Sequence, residues 1–294
     1  MKAKDEISDA LHRFLFEPLA VRGEIVRLDA AWRTVLERRA YPLAVRDILG
    51  QATAAAALLS ATIKFDGLLT LQIQARGPLR LVVAQITSER KLRALARWDG
   101  EPQAGPLRDL CGDGALSLTI DLGQGRKPYQ GVVGLQGDTL AQALEQYFDQ
   151  SEQLPTQIQL AADDRAAAGL LLQRLPDTVA ADADGWNRLE TLAATLQSAE
   201  LLALPAPVLL RRLFHEEDVR LFDPDFFGYR CTCSRERTAA MLHAMSEDEL
   251  RQILREQGLI QVDCEFCGHR YPFDAIDVAS LQSGFRSDPS TTCH

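Results

Sequence analysis

The sequence lacks the long apolar runs that membrane proteins carry. Its longest uncharged stretch, from Ile48 to Ile63, has 16 residues and includes several polar side chains. Because a membrane-spanning helix needs ~20 consecutive apolar residues, this stretch predicts a buried helix instead. Residues 1–10 carry mixed charge with no apolar segment behind them, so we expect no secretory signal. These absences predict a cytoplasmic protein that does not associate with membranes.

Signatures of common catalytic sites are also missing. The five histidines are scattered, and the patterns HExxH, GxSxG, GxGxxG and GxxxxGK do not occur. We therefore expect a protein that is not an enzyme. With 46% hydrophobic residues in a chain of 294, the composition predicts one or two well-cored domains and not a disordered chain.

Positive charge is scarce. The formal net charge is −9, and the chain from Gly228 onward has seven Arg and no Lys against ten Asp plus Glu. Affinity for nucleic acid rests largely on Lys and Arg contacts to phosphates. We therefore expect no DNA or RNA partner.

Cysteine is scarce too, yet four of the six cysteines form two close pairs. Cys231 and Cys233 flank one residue, Cys264 and Cys267 flank two, and 30 residues separate the pairs. Two chelating pairs can bring four thiolates to the corners of one tetrahedron, and sulfur ligands favour zinc. An isolated cysteine is more often a small buried hydrophobe, but two pairs at this spacing indicate a metal. The sequence therefore predicts a structural zinc site, with all four positions filled by protein atoms.

Three further residues, two cysteines and one histidine, are weaker candidates for metal ligands. Cys111 stands alone beside a Gly-Asp-Gly turn and is interpreted as a turn or core thiol. Cys293 lies in a polar C-terminal tail, and neither cysteine is assigned a role. His269 is an alternative ligand or a neighbour of the ligands, although a surface position is the simpler interpretation.

For residues 1–176, the pattern of apolar residues predicts an α+β core with a mixed or antiparallel sheet. We expect a strand over 17–30, an Ala- and Leu-rich helix from Leu43 to Ile63, and a helix that begins after Thr139. An antiparallel meander begins with strands at 69–74 and 79–84. Further strands are expected at 92–98, 115–121, 129–135, 157–160 and 169–175, with a turn at 123–125.

Residues 177–228 predict a linker of short helices. One apolar stripe contains Trp186, Leu189, Leu192 and Leu196, and a second helix starts near Pro205. Short helices are marginal alone, so we interpret this segment as a metastable clamp that lies on another surface. Residues 229–294 predict a small zinc module with a helix near 250–256 and a strand near 260–262, which the metal would hold together.

The chain resembles the 33-kilodalton heat-shock protein family, the redox-regulated holdase chaperones. The resemblance covers essentially the whole length and rests first on the two cysteine pairs within segments 229–237 and 262–271. Core segments that support it are Arg22–Glu24, Gly114–Asp121, Tyr129–Gly131 and Tyr147–Thr156. Cys293 and the tail around it depart from the family's four-thiol pattern.

The resemblance implies a function and a mechanism. Cys231, Cys233, Cys264 and Cys267 would form a zinc-binding redox switch with one Zn²⁺ per chain in the reduced, inactive protein. Oxidation would form the disulfides Cys231–Cys233 and Cys264–Cys267, since a sulfenic acid reacts with its nearest thiol. The zinc would then leave, the linker would unfold, and the core plus linker would hold unfolding client proteins as a homodimer.

Two other classes of function remain open at this point. A zinc-ribbon nucleic-acid-binding protein would explain the four cysteines, although the acidic module disfavours it. A thiol-disulfide oxidoreductase would use Cys264 and Cys267 at a helix N-terminus. Gly268, directly after the second pair, fits a metal-binding turn better.

Overall fold

The computed structural model describes residues 9–123, 126–176, 182 and 184–283, and it divides into two compact units. The first unit ends at Arg230 and the second begins at Cys231. Each unit has a hydrophobic core of its own. Helices occur among antiparallel strands along the chain, which confirms the predicted α+β class.

The first sheet joins the two ends of the core segment. Strand β1 (Ala10–Phe16) pairs with β2 (Val21–Leu28), and β9 (Ala167–Arg174) pairs with both β2 and β8 (Thr156–Ala162). All these pairings are antiparallel.

The predicted continuous strand over 17–30 is wrong at its beginning. Pro18 lies in a 3-10 turn over Glu17–Leu19, and Ala20 adopts a left-handed φ of 53°. Proline has no N–H for a ladder hydrogen bond, so the chain turns here and the strand begins only at Val21. Strand β1, which precedes this turn, was not predicted.

The second sheet confirms the predicted meander. It contains β3 (Leu68–Ala75), β4 (Leu79–Thr87), β5 (Lys91–Trp98), β6 (Gly114–Asp121) and β7 (Tyr129–Gly134), in the spatial order β5-β4-β3-β6-β7. Neighbours along this order are antiparallel. The predicted turn at 123–125 falls partly outside the described residues.

A buried helix fills the space that the two sheets share. Helix α2 (Leu43–Thr62) follows the short helix α1 (Ala30–Glu37) and contacts strands of both sheets. Of its 20 residues, 14 are buried, which confirms that the longest uncharged stretch is a core helix. Helix α3 (Leu107–Cys111) and helix α4 (Leu140–Tyr147) complete this region, and a capping box at Thr139 starts α4 as predicted.

The described part of the predicted linker lies on the first sheet. It contains α5 (Gly185–Ala194), α6 (Ser198–Ala203) and α7 (Ala206–Phe214). Short strands β10 (Arg220–Leu221) and β11 (Asp225–Phe226) then pair with β1, and β12 (Gly228–Tyr229) pairs with β5 in parallel. Residues 177–181 and 183 lie outside the described residues.

The three linker helices and one face of the first sheet share a separate hydrophobic core. Leu189, Leu209 and Leu213 of the helices pack with Phe14, Phe16 and the alternate side chains of β9. The rings of Phe16 and Phe214 meet edge to face at 5.1 Å between centroids. The apolar stripe predicted for this segment therefore has a surface to cover, and that surface is the sheet.

The second unit is small. It contains α8 (Arg235–His243), α9 (Glu247–Gln257), the hairpin β13 (Ile260–Asp263) and β14 (Arg270–Phe273), and α10 (Ala275–Ser283). The predicted helix near 250–256 is confirmed and begins slightly earlier, with the expected capping box between Ser246 and Glu249. Gly258 ends it in a left-handed conformation with φ of 74°.

Glu24 is a buried acid where the first sheet meets the end of the linker. It is 2% exposed, and its Oε2 atom has no hydrogen-bond partner among the described residues. Burial raises the pKa of Glu24 to about 7, against the opposing effect of Arg22, Arg13 and Arg90. Arg13 and Arg90 share a linker residue, Asp225, as an ion-pair partner at 3.5 and 3.3 Å.

We predict that Glu24→Gln removes a pH dependence of stability. A folded-state pKa raised from 4.5 to about 7 gives stability that is complete below pH 4.5 and lost as the pH rises to about 7. The loss should be on the order of 3 kcal/mol in the wild-type chain. Urea unfolding across this pH window measures it, and Glu89→Gln on the surface serves as the control. Equal slopes in the wild-type and Glu24→Gln proteins would contradict the assignment.

Candidate metal centre

Two segments of the second unit bring the paired cysteines together. Cys231 and Cys233 lie in the extended chain directly before α8, which Ser234 caps by accepting a hydrogen bond from the Arg237 N–H. Cys264 and Cys267 lie in the loop of the β13–β14 hairpin, whose strands are in register from Ile260 opposite Phe273 to Asp263 opposite Arg270.

The hairpin loop has the tight turn that Gly268 predicted. The Gly268 N–H donates to the Cys264 carbonyl at 2.7 Å, and the Cys264 N–H donates to the His269 carbonyl at 2.8 Å. Gly268 has a φ of 69°, which a residue with a Cβ rarely adopts. The turn directs both cysteine side chains of the loop toward the first pair.

The four sulfur atoms form one cluster. All four Sγ atoms of Cys231, Cys233, Cys264 and Cys267 lie within 4.8 Å of one another. The Sγ atoms of Cys231 and Cys264 are 3.6 Å apart, and those of Cys233 and Cys267 are 3.4 Å apart. A zinc–sulfur bond of ~2.3 Å in a tetrahedron places neighbouring sulfurs ~3.8 Å apart. The donor set and its spacing therefore fit zinc, and all four cysteines are free thiols.

The electrostatics of the cluster also favour a cation. Burial opposes ionisation of Cys231, but hydrogen bonds from the Cys233 backbone and from the neighbouring thiols outweigh it and lower its pKa to about 7. Burial, and hydrogen bonds among the same thiols, raise the pKa of Cys267. One thiolate is therefore easily formed, while burial raises the pKa of Cys264 and of Cys267 and keeps these two thiols protonated beside it. Full ionisation needs a positive charge among the four sulfurs, which a zinc ion supplies when bound.

Tyr271 is a neighbour of the cluster that the sequence analysis missed. Its hydroxyl donates to Cys233 Sγ at 3.1 Å. Hydrogen bonding to the Cys233 sulfur, followed by burial, raises the pKa of Tyr271, so the hydroxyl stays a donor. The sequence could have indicated Tyr271 by its position in the strand that directly follows the second cysteine pair. His269 is exposed and lies outside the four-residue cluster, with its ring 4.5 Å from that of Tyr271.

Apart from the cysteine cluster, the described residues of the second unit form only a small hydrophobic core. Its fully buried hydrophobic core contains Leu242, Leu250, Ile260, Phe273 and Val278. Arg235 adds an ion pair to Asp277 at 2.7 Å and stacks over the Phe273 ring at 4.3 Å. A core of this size is marginal without a staple, so the cysteine cluster is the strongest restraint that the unit has available.

Of the two remaining cysteines, the structure describes only Cys111, which does not join the cluster. Cys111 is fully buried at the end of α3, and burial raises its pKa to about 11. Cys111 is therefore a core thiol, which was one of the two roles, turn or core, expected from the sequence. Cys293 lies outside the described residues.

Comparison with known proteins establishes the family. The family model described as Hsp33 protein matches residues 9–274. The chain belongs to the Hsp33 family. The 33 kDa chaperonin of Nitrosococcus oceani is 52% identical over 273 residues, covering 93% of this chain and 94% of the relative. The 33 kDa chaperonin of Azotobacter vinelandii is 48% identical over 295 residues, covering 97% and 99%.

The fold agrees with a solved structure of the same family. The crystal structure of the 33 kDa chaperonin from Thermotoga maritima superposes with a TM-score of 0.80 at 26% identity, covering 93% of this chain and 97% of that one. The relatives are named as chaperonins and not as enzymes, so membership of Hsp33 identifies a chaperone. Across the described residues, the helices are all too short or too polar to span a membrane.

We predict that the reduced protein binds one zinc ion per chain through four sulfurs at ~2.3 Å. Metal analysis and X-ray absorption of protein purified under reducing conditions with zinc measure both quantities. Cys111→Ala is the control and should keep its zinc, because Cys111 lies in another part of the fold. Oxygen ligands, or less than one zinc per chain, would contradict the four-sulfur site.

Proposed function

We propose that this chain is a redox-regulated holdase chaperone of the cytoplasm. It is inactive while the four cysteines are reduced and hold zinc, and it binds unfolding client proteins once they are oxidised. The observation that carries the proposal is the cluster of four cysteine sulfurs in a unit with only a small hydrophobic core. The Hsp33 membership supports the chaperone activity itself.

Each of the three segments of the chain has its own proposed role. Residues 1–176 form the client-binding and dimerising core, residues 177–228 form the metastable linker, and residues 229–294 form the redox switch. Zinc, when bound to Cys231, Cys233, Cys264 and Cys267, keeps the thiolates ionised and fastens the two cysteine segments together.

Oxidation proceeds through the thiolates. A peroxide accepts two electrons from one thiolate, which becomes a sulfenic acid as the O–O bond breaks. The neighbouring thiolate attacks that sulfur and expels hydroxide, forming a disulfide. We propose the pairs Cys231–Cys233 and Cys264–Cys267, which close the shortest loops in the chain. In the reduced cluster, short sulfur–sulfur distances instead join Cys231 to Cys264 and Cys233 to Cys267, so the proposed pairing needs the thiols to rearrange as the metal leaves. Two such disulfides leave no thiolate donors, so the metal is lost.

Loss of the metal would unfold the redox switch. Structural zinc sites contribute ~10–16 kcal/mol of apparent binding free energy, which equals or exceeds the ~5–15 kcal/mol stability of a typical domain. The five buried side chains of the second unit cannot replace a contribution of that size. The switch therefore changes from folded to unfolded with the oxidation state of its cysteines.

The linker would transmit this change to the client-binding surface. Its helices cover one apolar face of the first sheet, where Phe14, Phe16 and Leu170 contact them. The last strand that holds this segment, Gly228–Tyr229, ends two residues before Cys231. When the linker leaves, the sheet face and the linker side chains become a contiguous apolar surface for unfolded clients and for a second copy of the chain.

We predict that Cys264→Ser is partly active without oxidant. Removing one of four thiolates should weaken zinc binding at least ~10-fold and loosen the second unit. Suppression of aggregation of a heat-denatured client, measured with reductant present, reports the activity, and Cys111→Ala is the matched control. Wild-type zinc affinity together with strict dependence on oxidant would contradict the role of Cys264.

A further prediction concerns the ion pairs that hold the linker end. Asp225→Asn removes the shared partner of Arg13 and Arg90 and should destabilise linker attachment by ~1 kcal/mol. Amide exchange at residues 219–227 should accelerate about fivefold in the reduced protein and rise further after peroxide, with residues 9–176 still protected. Asp223→Asn is the control, since Asp223 is exposed in the same segment. Equal exchange in both variants, or a linker equally protected before and after oxidation, would contradict the proposal.

A further inference from the structure

A cavity of about 440 Å³ lies in the first unit, apart from the cysteine cluster. It opens between β2, the end of α2, strands β6 and β7, and the turn that follows α4. All four core segments that carry the family resemblance meet here, and they contribute Arg22, Leu118, Ile120, Tyr129 and four residues of the segment 147–154. The volume lies within the ~300–1,000 Å³ range of small-molecule sites. The proposed redox switch uses none of these residues.

The walls of this cavity are mainly apolar. Leu118, Ile120 and Phe148 are buried side chains that line it, and Ile63 and Leu154 are half-buried at its sides. Such walls favour a ligand with an apolar body.

Arg22 provides a cation with spare donors in the cavity. Its Nε and Nη2 atoms both donate to Gln173 Oε1, and Nη1 reaches the Thr62 carbonyl at 3.5 Å. A guanidinium has five N–H groups, so these three bonds leave two unused. Glu24, two residues along β2, acts on Arg22 only through space, and no carboxylate of the described residues forms an ion pair with it.

A second donor faces the same space. Tyr147 is 1% exposed and lines the cavity, and its hydroxyl has no partner at normal hydrogen-bond geometry among the described residues, although the Tyr129 hydroxyl lies close enough to interact with it. The nearby Tyr129 hydroxyl donates to Glu152 at 3.2 Å instead. Burial, followed by the neighbouring Tyr129 hydroxyl, raises the pKa of Tyr147, so this group keeps its proton. Gly131 makes room for it, because a Cβ there would lie 2.6 Å from the Tyr147 oxygen.

We propose that this cavity binds a monocarboxylate with an apolar body. The carboxylate accepts hydrogen bonds from Arg22 and from the Tyr147 hydroxyl, and the body lies against Leu118, Ile120 and Phe148. One carboxylate satisfies both donors, and a guanidinium recognises it with two parallel bonds. A phosphate dianion fits less well, because the cavity offers one cation and Glu152 lies at its rim.

Octanoate titrated into the reduced full-length chain by calorimetry tests this proposal. We expect saturable binding at one site per chain, and at least ~10-fold weaker binding of octanol, which has the same body without the charge. Tyr147→Phe removes one hydroxyl and should weaken octanoate binding about 10-fold, and Arg22→Gln should weaken it further. Thermal unfolding of each variant verifies the fold.

Matched controls and a second ligand complete the test. Lys127→Gln removes an exposed cation that does not line the cavity and should leave the affinity unchanged. Glu152→Gln should bind octanoate equally well or more tightly. A short acetylated peptide that ends in leucine, with a free or an amidated C-terminus, distinguishes protein chain ends from small free carboxylates as the source of the ligand. No saturable binding of octanoate, equal binding of octanol, or wild-type affinity in folded Tyr147→Phe and Arg22→Gln proteins would overturn the proposal.

Discussion

The first sheet is apolar on both faces, and the rest of the first unit is arranged around that constraint. Seven of the eight residues of β9 are buried. Leu171 enters the core beside α2, and its neighbours Leu170 and Leu172 enter the core beneath the linker helices. A strand buried on both sides needs two covering layers. Helix α2, within the core segment, is one covering layer. The linker helices are the other, and the linker leads directly to the cysteines.

The two units differ in what stabilises them. The first unit has an extensive apolar core, which includes the buried Cys111 thiol but none of the four clustered cysteines. Among its described residues, the second has a core of five buried apolar side chains beside a cluster of four sulfurs, so we propose that its stability depends on cysteine chemistry. In the proposed mechanism, this contrast places sensitivity to oxidants in the unit whose unfolding would leave the larger core intact.

The sequence was most informative where the chemistry is local. The cysteine spacing and Gly268 predict the thiol cluster, and periodicity predicts α2 and the meander, because each depends on residues close together in the chain. Strand β1 was missed although it pairs with the neighbouring β2. The surface that the linker covers was missed because the linker returns to β1 from far along the chain, as Ala10 opposite Phe226 shows. Tyr271 was missed for a similar reason, since its hydrogen bond reaches Cys233 in the other cysteine segment.

Arg90 connects helix α2 to the linker, and its hydrogen bonds to the helix are shorter than its bond to the linker. Its Nη1 atom donates to the Ser60 carbonyl and hydroxyl at 2.8 and 2.9 Å, and Nη2 reaches Asp225 at 3.3 Å while the guanidinium lies over Phe227. If the linker leaves as proposed, Arg90 would lose Asp225 and Phe227 but keep both bonds to Ser60. The uncovered sheet would then be edged by Arg13 and by an Arg90 still held in place. Such a border gives the surface a charge preference, so acidic segments beside exposed apolar side chains would be captured more readily than basic ones.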